Sequence, residues 1–196
     1  MMRREVPAMK ALGKKVVLIV GLPGSGKDVA AKAIEEELGY TVLRMSDELL
    51  EELKKRGLPI SRENMRKVGM DMRRESGMAA VAELVISRMR EFEHAKGFVI
   101  NGIRNLEEIE AFEQEFGDEV VTIAILAPKK LRFLRQLKRR RSGFDKIDYQ
   151  EFLDEDRREI RTFHLGDAIA VADYFILNEG SIEQLKWKVI SAVLGS

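Results

Sequence analysis

Residues 16 to 20, Val-Val-Leu-Ile-Val, form a continuously apolar, largely β-branched run that ends in a glycine-punctuated stretch. A run of this length bounded by turn residues predicts a strand covered on both faces. Directly after it, Val29, Ala30, Ala33, Ile34 and Leu38 recur at helical spacing, and Gly39 stands where a left-handed C-terminal residue closes a helix. Residues 40 to 45 predict a second strand, and helical periodicity returns over 48–56, 61–75 and 78–93, broken by Gly57, Pro59 and Gly77. A third strand is expected over 97–102, a helix through Leu106, Ile109 and Phe112, and a fourth apolar strand over 120–126. Pro128 opens another helix, Asp148-Tyr149-Gln150-Glu151 reads as a capping box, and residues 174 to 177 form a fifth strand. Ser181-Ile182-Glu183-Gln184 caps the last helix, whose Ile182, Leu185, Val189 and Val193 are expected to face inward.

Strands alternating with helices predict an α/β architecture: a five-stranded parallel sheet with helices on both faces and a ligand at the strands' carboxyl ends. The block between the second and third strands, residues 47–95, is too long for a simple crossover and reads as a helical insertion suited to a second substrate. The expected layout is a flexible tail over residues 1–14 followed by a single domain over 15–196, with Met9 as an alternative start.

Composition narrows the chemistry. There is no cysteine, so disulfides, thiolate metal sites and cysteine nucleophiles are excluded, and only His94 and His164 could serve as imidazole ligands. Lys plus Arg number 34 against 33 Asp plus Glu, a balance that favours neither nucleic acid nor a membrane surface as partner. The charged fraction of 34% is of the kind seen in thermophile proteins. No apolar run approaches the ~20 residues of a membrane span, and the first residues lack the apolar core of a signal peptide, so a cytoplasmic location is expected.

The stretch Gly21-Leu22-Pro23-Gly24-Ser25-Gly26-Lys27 fits G-x-x-x-x-G-K, the phosphate-cradling P-loop, in its strand–loop–helix setting. The glycines let successive backbone N–H groups turn toward phosphate oxygens, and the helix that follows adds the positive end of its dipole. Lys27 reaches the β- and γ-phosphates as a point charge. Asp28 departs from the pattern, standing where a Ser or Thr hydroxyl ordinarily ligates Mg²⁺. It is a metal candidate, with the alternative that it only favours the helix N-terminus.

Further along lie Arg44-Met45-Ser46-Asp47, Phe98-Val99-Ile100-Asn101-Gly102-Ile103-Arg104, and Ala172-Asp173-Tyr174-Phe175-Ile176-Leu177-Asn178-Glu179-Gly180-Ser181. With the P-loop, these stretches resemble the P-loop nucleoside-monophosphate kinase superfamily, in particular adenylate kinases and dephospho-CoA kinases. The chain looks similar to an archaeal, uncharacterised group related to both. The resemblance implies the three-layer P-loop kinase fold, with the insertion holding the acceptor and an arginine-rich lid over 138–150.

It further implies ATP and Mg²⁺ as cofactors and a small-molecule nucleotide acceptor, AMP or a related nucleotide, with dephospho-CoA as the alternative. The expected oligomeric state is a monomer or a small homo-oligomer. Gly21, Pro23, Gly24, Ser25, Gly26, Lys27 and Asp28 would hold the donor, with Asn178 and Gly180 beside its adenine mainly through backbone. Asp47 would serve as base, acceptor contact or metal ligand; Ser46 or Asp47 as a helix cap is the structural alternative. Arg73 and Arg104 would meet the acceptor. Arg139 and Arg141, within a segment of eight basic and no acidic residues over 129–143, would clamp the phosphates together with Arg157. Asn101 replaces the family's acidic residue, so together with Asp28 the metal site departs twice from the pattern. The segment from Asn101 to Arg104 is also one residue shorter than the family's, which bears on how Arg104 matches the acceptor-phosphate arginine. A nucleotide-binding regulatory factor with slow ATPase activity is the rival reading. The methionines read as adaptable core filler, Trp187 as packing, and His94 and His164 as incidental.

Overall fold

The computed structural model describes residues 15–139 and 148–195. The predicted tail and residues 140–147 of the predicted lid, Arg141 among them, lie outside the described residues, as does the side chain of Arg139. Five parallel strands make one sheet: β1 (Val16–Val20), β2 (Thr41–Arg44), β3 (Phe98–Ile103), β4 (Val120–Leu126) and β5 (Tyr174–Leu177), in the spatial order β2-β3-β1-β4-β5. β1 is central and fully buried, which is why it reads as an unbroken apolar run.

Alternation along the strands splits the core in two. Val16, Leu18 and Val20 face one cluster, built with α2 (Met45–Lys55), α3 (Arg62–Ser76), α4 (Ala80–Met89), α5 (Leu106–Phe116) and α8 (Leu165–Ala170). Val17 and Ile19 face the other, built with α1 (Lys27–Leu38) and α9 (Ile182–Leu194). The three layers follow directly from these two faces. Helices α6 (Lys129–Arg139) and α7 (Tyr149–Phe163) are joined by Phe133, Tyr149 and Phe152, whose ring centroids lie 5.0–6.0 Å apart.

Several local expectations are corrected. Ser46 and Asp47 do not cap α2; they lie within its first turn, and Arg44 occupies the cap position in extended conformation without a side-chain cap. Ile182 is not inward-facing but 56% exposed, and Trp187, expected to pack, is exposed as well, because α9 buries the stripe Leu185, Val189, Ala192 and Val193 instead. The helix expected over 78–93 is shorter, α4 ending at Met89, and the brief α8 was not anticipated. His164 joins α7 to α8 in a left-handed conformation, φ 56°. Ser61, Asn105, Asp148 and Ser181 each accept a hydrogen bond from the first turn of their helices, and the capping boxes at Asp148 and Ser181 are complete.

One irregularity in β3 matters for the site. Ile19 pairs with Asn101 but Val20 pairs with Ile103, so Gly102, at φ 104°, is an extra residue in the ladder. The bulge leaves Asn101 facing α1 while Ile103 enters the opposite core cluster. Arg104 then leaves the strand end beside the first turn of α5.

Candidate active site

The sheet reverses direction of travel on either side of β1, and the loop after β1 opens into the crevice formed there. Gly21, Gly24 and Gly26 all take positive φ, which an L side chain rarely tolerates. A Cβ at Gly24 would lie 2.8 Å from the Arg132 carbonyl oxygen, and one at Gly26 would lie 2.3 Å from Asn178 Nδ2. The loop is therefore tight because its neighbours press on it from two sides. Ser25 is fully buried, and its Oγ has no hydrogen-bond partner among the described residues.

Lys27 Nζ donates to the carbonyl oxygens of Gly21 and Leu22, at 2.5 and 3.2 Å. Burial of the ammonium pulls its pKa down to about 8; Asp28 acts against this and nearby Arg104 adds to it. An ammonium whose hydrogen bonds among the described residues go to carbonyl oxygens is poised to turn to a phosphate. Asp28, in the next position, accepts a hydrogen bond from Asn101 Nδ2 at 2.8 Å. The two departures from the family pattern thus contact each other, and no group of three or more potential metal ligands exists among the described residues. This donor set suits Mg²⁺, which takes one or two carboxylates along with phosphate and water oxygens.

The loop is braced by groups that sequence reasoning missed or misassigned. Asn178 was expected to contribute mainly backbone, but its side chain is buried and donates to the Ser25 carbonyl at 2.7 Å. Arg135 donates to the carbonyls of Ser25 and Asn178, at 3.4 and 3.2 Å. Arg132 donates to the Pro23 carbonyl and forms a bidentate pair with Asp156, at 2.7 and 2.6 Å, over the Phe152 ring. Both arginines belong to the basic segment recognised in the sequence, but helical spacing turns them inward toward the loop.

Beside the loop lies a cavity of about 980 Å³, running from Gly24, Lys27, Asp28 and Asn178 to the walls of α2, α3 and α7. Among the described residues, eight basic side chains line it (Lys27, Arg62, Arg66, Arg73, Arg104, Arg135, Lys138 and Arg158) against three acidic ones, Asp28, Glu155 and Glu159. Leu49, Leu50, Ile60 and Met65 supply an apolar wall. Arg73 and Arg104 both rest on the Phe163 ring, each 5.0 Å from its centroid. Glu108, fully buried, accepts from the Arg73 guanidinium at 2.6 Å and from the Arg104 backbone N–H at 2.8 Å. Glu108, Glu159 and Phe163 carry no local motif; only the juxtaposition of α5 and α7 with the strand end reveals them.

Two expected residues fall outside this constellation. Asp47 is exposed and absent from the cavity wall, where Ser46 stands instead. Arg157 is exposed and donates to Asp154; its neighbour Arg158, a hundred degrees around the helix, faces the cavity. Gly180 lines the cavity beside Asn178.

Residues 20–153 match the family model described as AAA domain. The UPF0200 protein PH1008 of Pyrococcus horikoshii is 39% identical over 180 residues, covering 91% of this chain and 95% of that protein. The chain belongs to the UPF0200 family. Among solved structures, this UPF0200 chain is similar to TT1252 from Thermus thermophilus, with TM-score 0.65, 19% identity and coverage of 93% of this chain and 97% of that one. It is also similar to shikimate kinase from Acinetobacter baumannii in complex with shikimate, with TM-score 0.57, 17% identity and coverage of 93% and 94%. These likenesses establish the P-loop kinase-like fold that the sequence predicted.

Proposed function

We propose that this UPF0200 chain is an ATP-dependent phosphotransferase acting on a nucleotide-type acceptor, AMP or a related nucleotide. The observation that carries the reading is the cavity itself: Lys27 of the phosphate loop, Arg73 and Arg104 on Phe163, and an apolar wall of Leu49, Leu50, Ile60 and Met65 all line one space. An anionic group with a flat apolar body meets both kinds of surface.

Gly24, Ser25, Gly26 and Lys27 bind the donor phosphates through backbone N–H groups and one ammonium. Asp28, oriented by Asn101, would hold Mg²⁺, which would supply charge neutralisation to the donor phosphates. Arg104 binds the acceptor anion, with Arg73 as its buried support. An acceptor phosphate oxygen forms the new bond to the γ-phosphorus as the bond to the β,γ-bridging oxygen breaks, and ADP leaves. Arg135 and Arg158 line the space where charge accumulates and take the clamp role expected of Arg157. Arg141, outside the described residues, and Arg139, whose side chain is not described, remain lid candidates. An already ionised phosphate needs no base, in keeping with Asp47 standing off the cavity wall. A hydroxyl acceptor of the dephospho-CoA type would need one.

A second reading, a nucleotide-binding regulatory factor with slow ATPase activity, draws on the Asp28–Asn101 hydrogen bond, which engages the carboxylate proposed for the metal. One experiment separates the two. ADP formation is followed with ATP, Mg²⁺ and AMP, CMP, UMP, dGMP or dephospho-CoA, against a no-acceptor control and Lys27→Ala. Stimulation by a nucleotide monophosphate that Lys27→Ala abolishes supports the kinase; equal slow hydrolysis in every reaction overturns it.

A further inference from the structure

Three carboxylates of helix α7 each engage an arginine from a different element, and two of them, Glu155 and Glu159, line the cavity. Glu155 pairs with Arg62 of α3 at 3.6 Å, Asp156 with Arg132 of α6, and Glu159 with Arg104 beyond β3 at 3.1 Å. The three pairs are not equivalent. Asp156 and Arg132 are buried and bidentate, a fixed joint. Arg73 is fixed in the same way, its guanidinium donating to the fully buried Glu108 and to the Gly69 carbonyl. Arg104 differs: its backbone is anchored by Glu108, but its guanidinium lies on the Phe163 face and donates to Glu159 through one nitrogen. That side chain is 36% exposed, the Glu159 side chain 15%, and both line the cavity. Glu159 is also close enough to Lys27 to raise its proton affinity.

We infer that Glu159 is an internal counter-ion that holds Arg104 in the absence of acceptor and yields it to the acceptor's anionic group, so that Glu159 sets which acceptors bind. The inference rests on the assignment of Arg104 to the acceptor. A single N–H···O contact between part-exposed partners is weak, whereas a phosphate dianion offers Arg104 paired, charge-assisted hydrogen bonds. The exchange needs a new rotamer of Glu159 and no backbone movement, because the Phe163 ring and the Glu108 anchor keep Arg104 in position. A displaced Glu159 then stands beside Lys27 and Arg158 in a cavity with an excess of basic groups, where its charge remains compensated. A neutral molecule cannot drive the exchange and meets Arg104 already neutralised. Glu159 is thus a positioning and specificity residue acting through Arg104.

The test measures equilibrium binding of AMP, adenosine and inorganic phosphate to the full chain, its Glu159→Gln variant, Arg104→Ala, and the double variant. Removing a competing carboxylate of this kind should tighten AMP and phosphate by about three- to tenfold, corresponding to roughly 1 kcal/mol, and leave adenosine unchanged. The gain should vanish in the Arg104→Ala background, a result that mere loosening of the structure would not produce. Unchanged or weaker phosphate and AMP binding in Glu159→Gln overturns the inference, as does a gain that persists without Arg104. A fall in kcat with affinity unchanged overturns it too, since that is the signature of a base. If phosphate tightens while AMP binds neither protein, the exchange stands and the nucleotide acceptor fails. If AMP binds the parent chain and the variant equally, the nucleotide acceptor stands and the exchange fails.

Discussion

Asn101 Nδ2 donates to Asp28 Oδ1 across 2.8 Å, from the central strand region to the first turn of the helix behind the P-loop. An amide is the one neutral side chain of aspartate's shape that can donate here, so the carboxylate at position 28 and the amide at position 101 form a complementary pair. Asn101→Asp should therefore set two carboxylates against each other and raise the pKa of one. The folded state would then hold an extra proton at mildly acid pH, and stability would fall as pH rises through that raised value. Thermal unfolding should show the variant near the parent at pH 4 and less stable at pH 7, with Mg²⁺ restoring part of the loss.

Lys27 has its pKa lowered to about 8, chiefly by burial, so its pH dependence has opposite signs for binding and folding. ATP affinity should be flat below about pH 8 and fall above it, since binding then requires proton uptake. Stability of the free protein should instead gain as pH rises from about 8 toward the unfolded value of 10.5, where the folded chain binds fewer protons than the unfolded one. Lys27→Ala should abolish both trends and lower turnover by about a hundredfold or more without loss of thermal stability. Calorimetric titration across pH 6.5 to 9.5 checks the binding limb.

The two arginines on Phe163 should separate cleanly. Arg73→Ala leaves Glu108 buried and uncompensated, a change that ordinarily costs about 3–5 kcal/mol. Arg104→Ala breaks only a part-exposed pair, costing less than about 1 kcal/mol, and should act on acceptor binding instead. Denaturant unfolding together with acceptor KM would show stability lost in the first and affinity lost in the second.

Asn178→Ala removes the buried donor that holds the Ser25 carbonyl at 2.7 Å. The expected cost is about 1–3 kcal/mol, with weaker ATP binding because the loop is no longer held from the β5 side. Gly26→Ala should be worse for binding, as its Cβ would meet the same amide at 2.3 Å with φ at 110°.

His164 takes φ 56° at the junction of α7 and α8, a conformation that costs a non-glycine residue about 1 kcal/mol. His164→Gly should stabilise the chain by about 0.5–1 kcal/mol, a rise of a few degrees in Tm, with activity unchanged.

Local rules made the frame legible. Val16–Val20 is continuously apolar because both its faces are covered, and Gly24, Gly26 and Lys27 declare the phosphate loop because few other residues allow that backbone. Ser61, Asp148 and Ser181 mark their helix starts through contacts only three residues long. The site beyond the loop depends on distance in the chain. Asn178 reaches Ser25 across 153 positions, Arg104 meets Glu159 across 55, and Arg73 meets Glu108 across 35. A basic segment read along the sequence does not say which of its arginines turns inward, and Asp47 lost its expected position because α2 begins two residues before it. The sequence by itself determined the strands, the loop and the sign of the charge, since those arise from neighbours on the chain. Which carboxylate holds which arginine was decided only when the sheet order β2-β3-β1-β4-β5 brought the end of β3, α3 and α7 around one cavity and set Glu108 of α5 against Arg73.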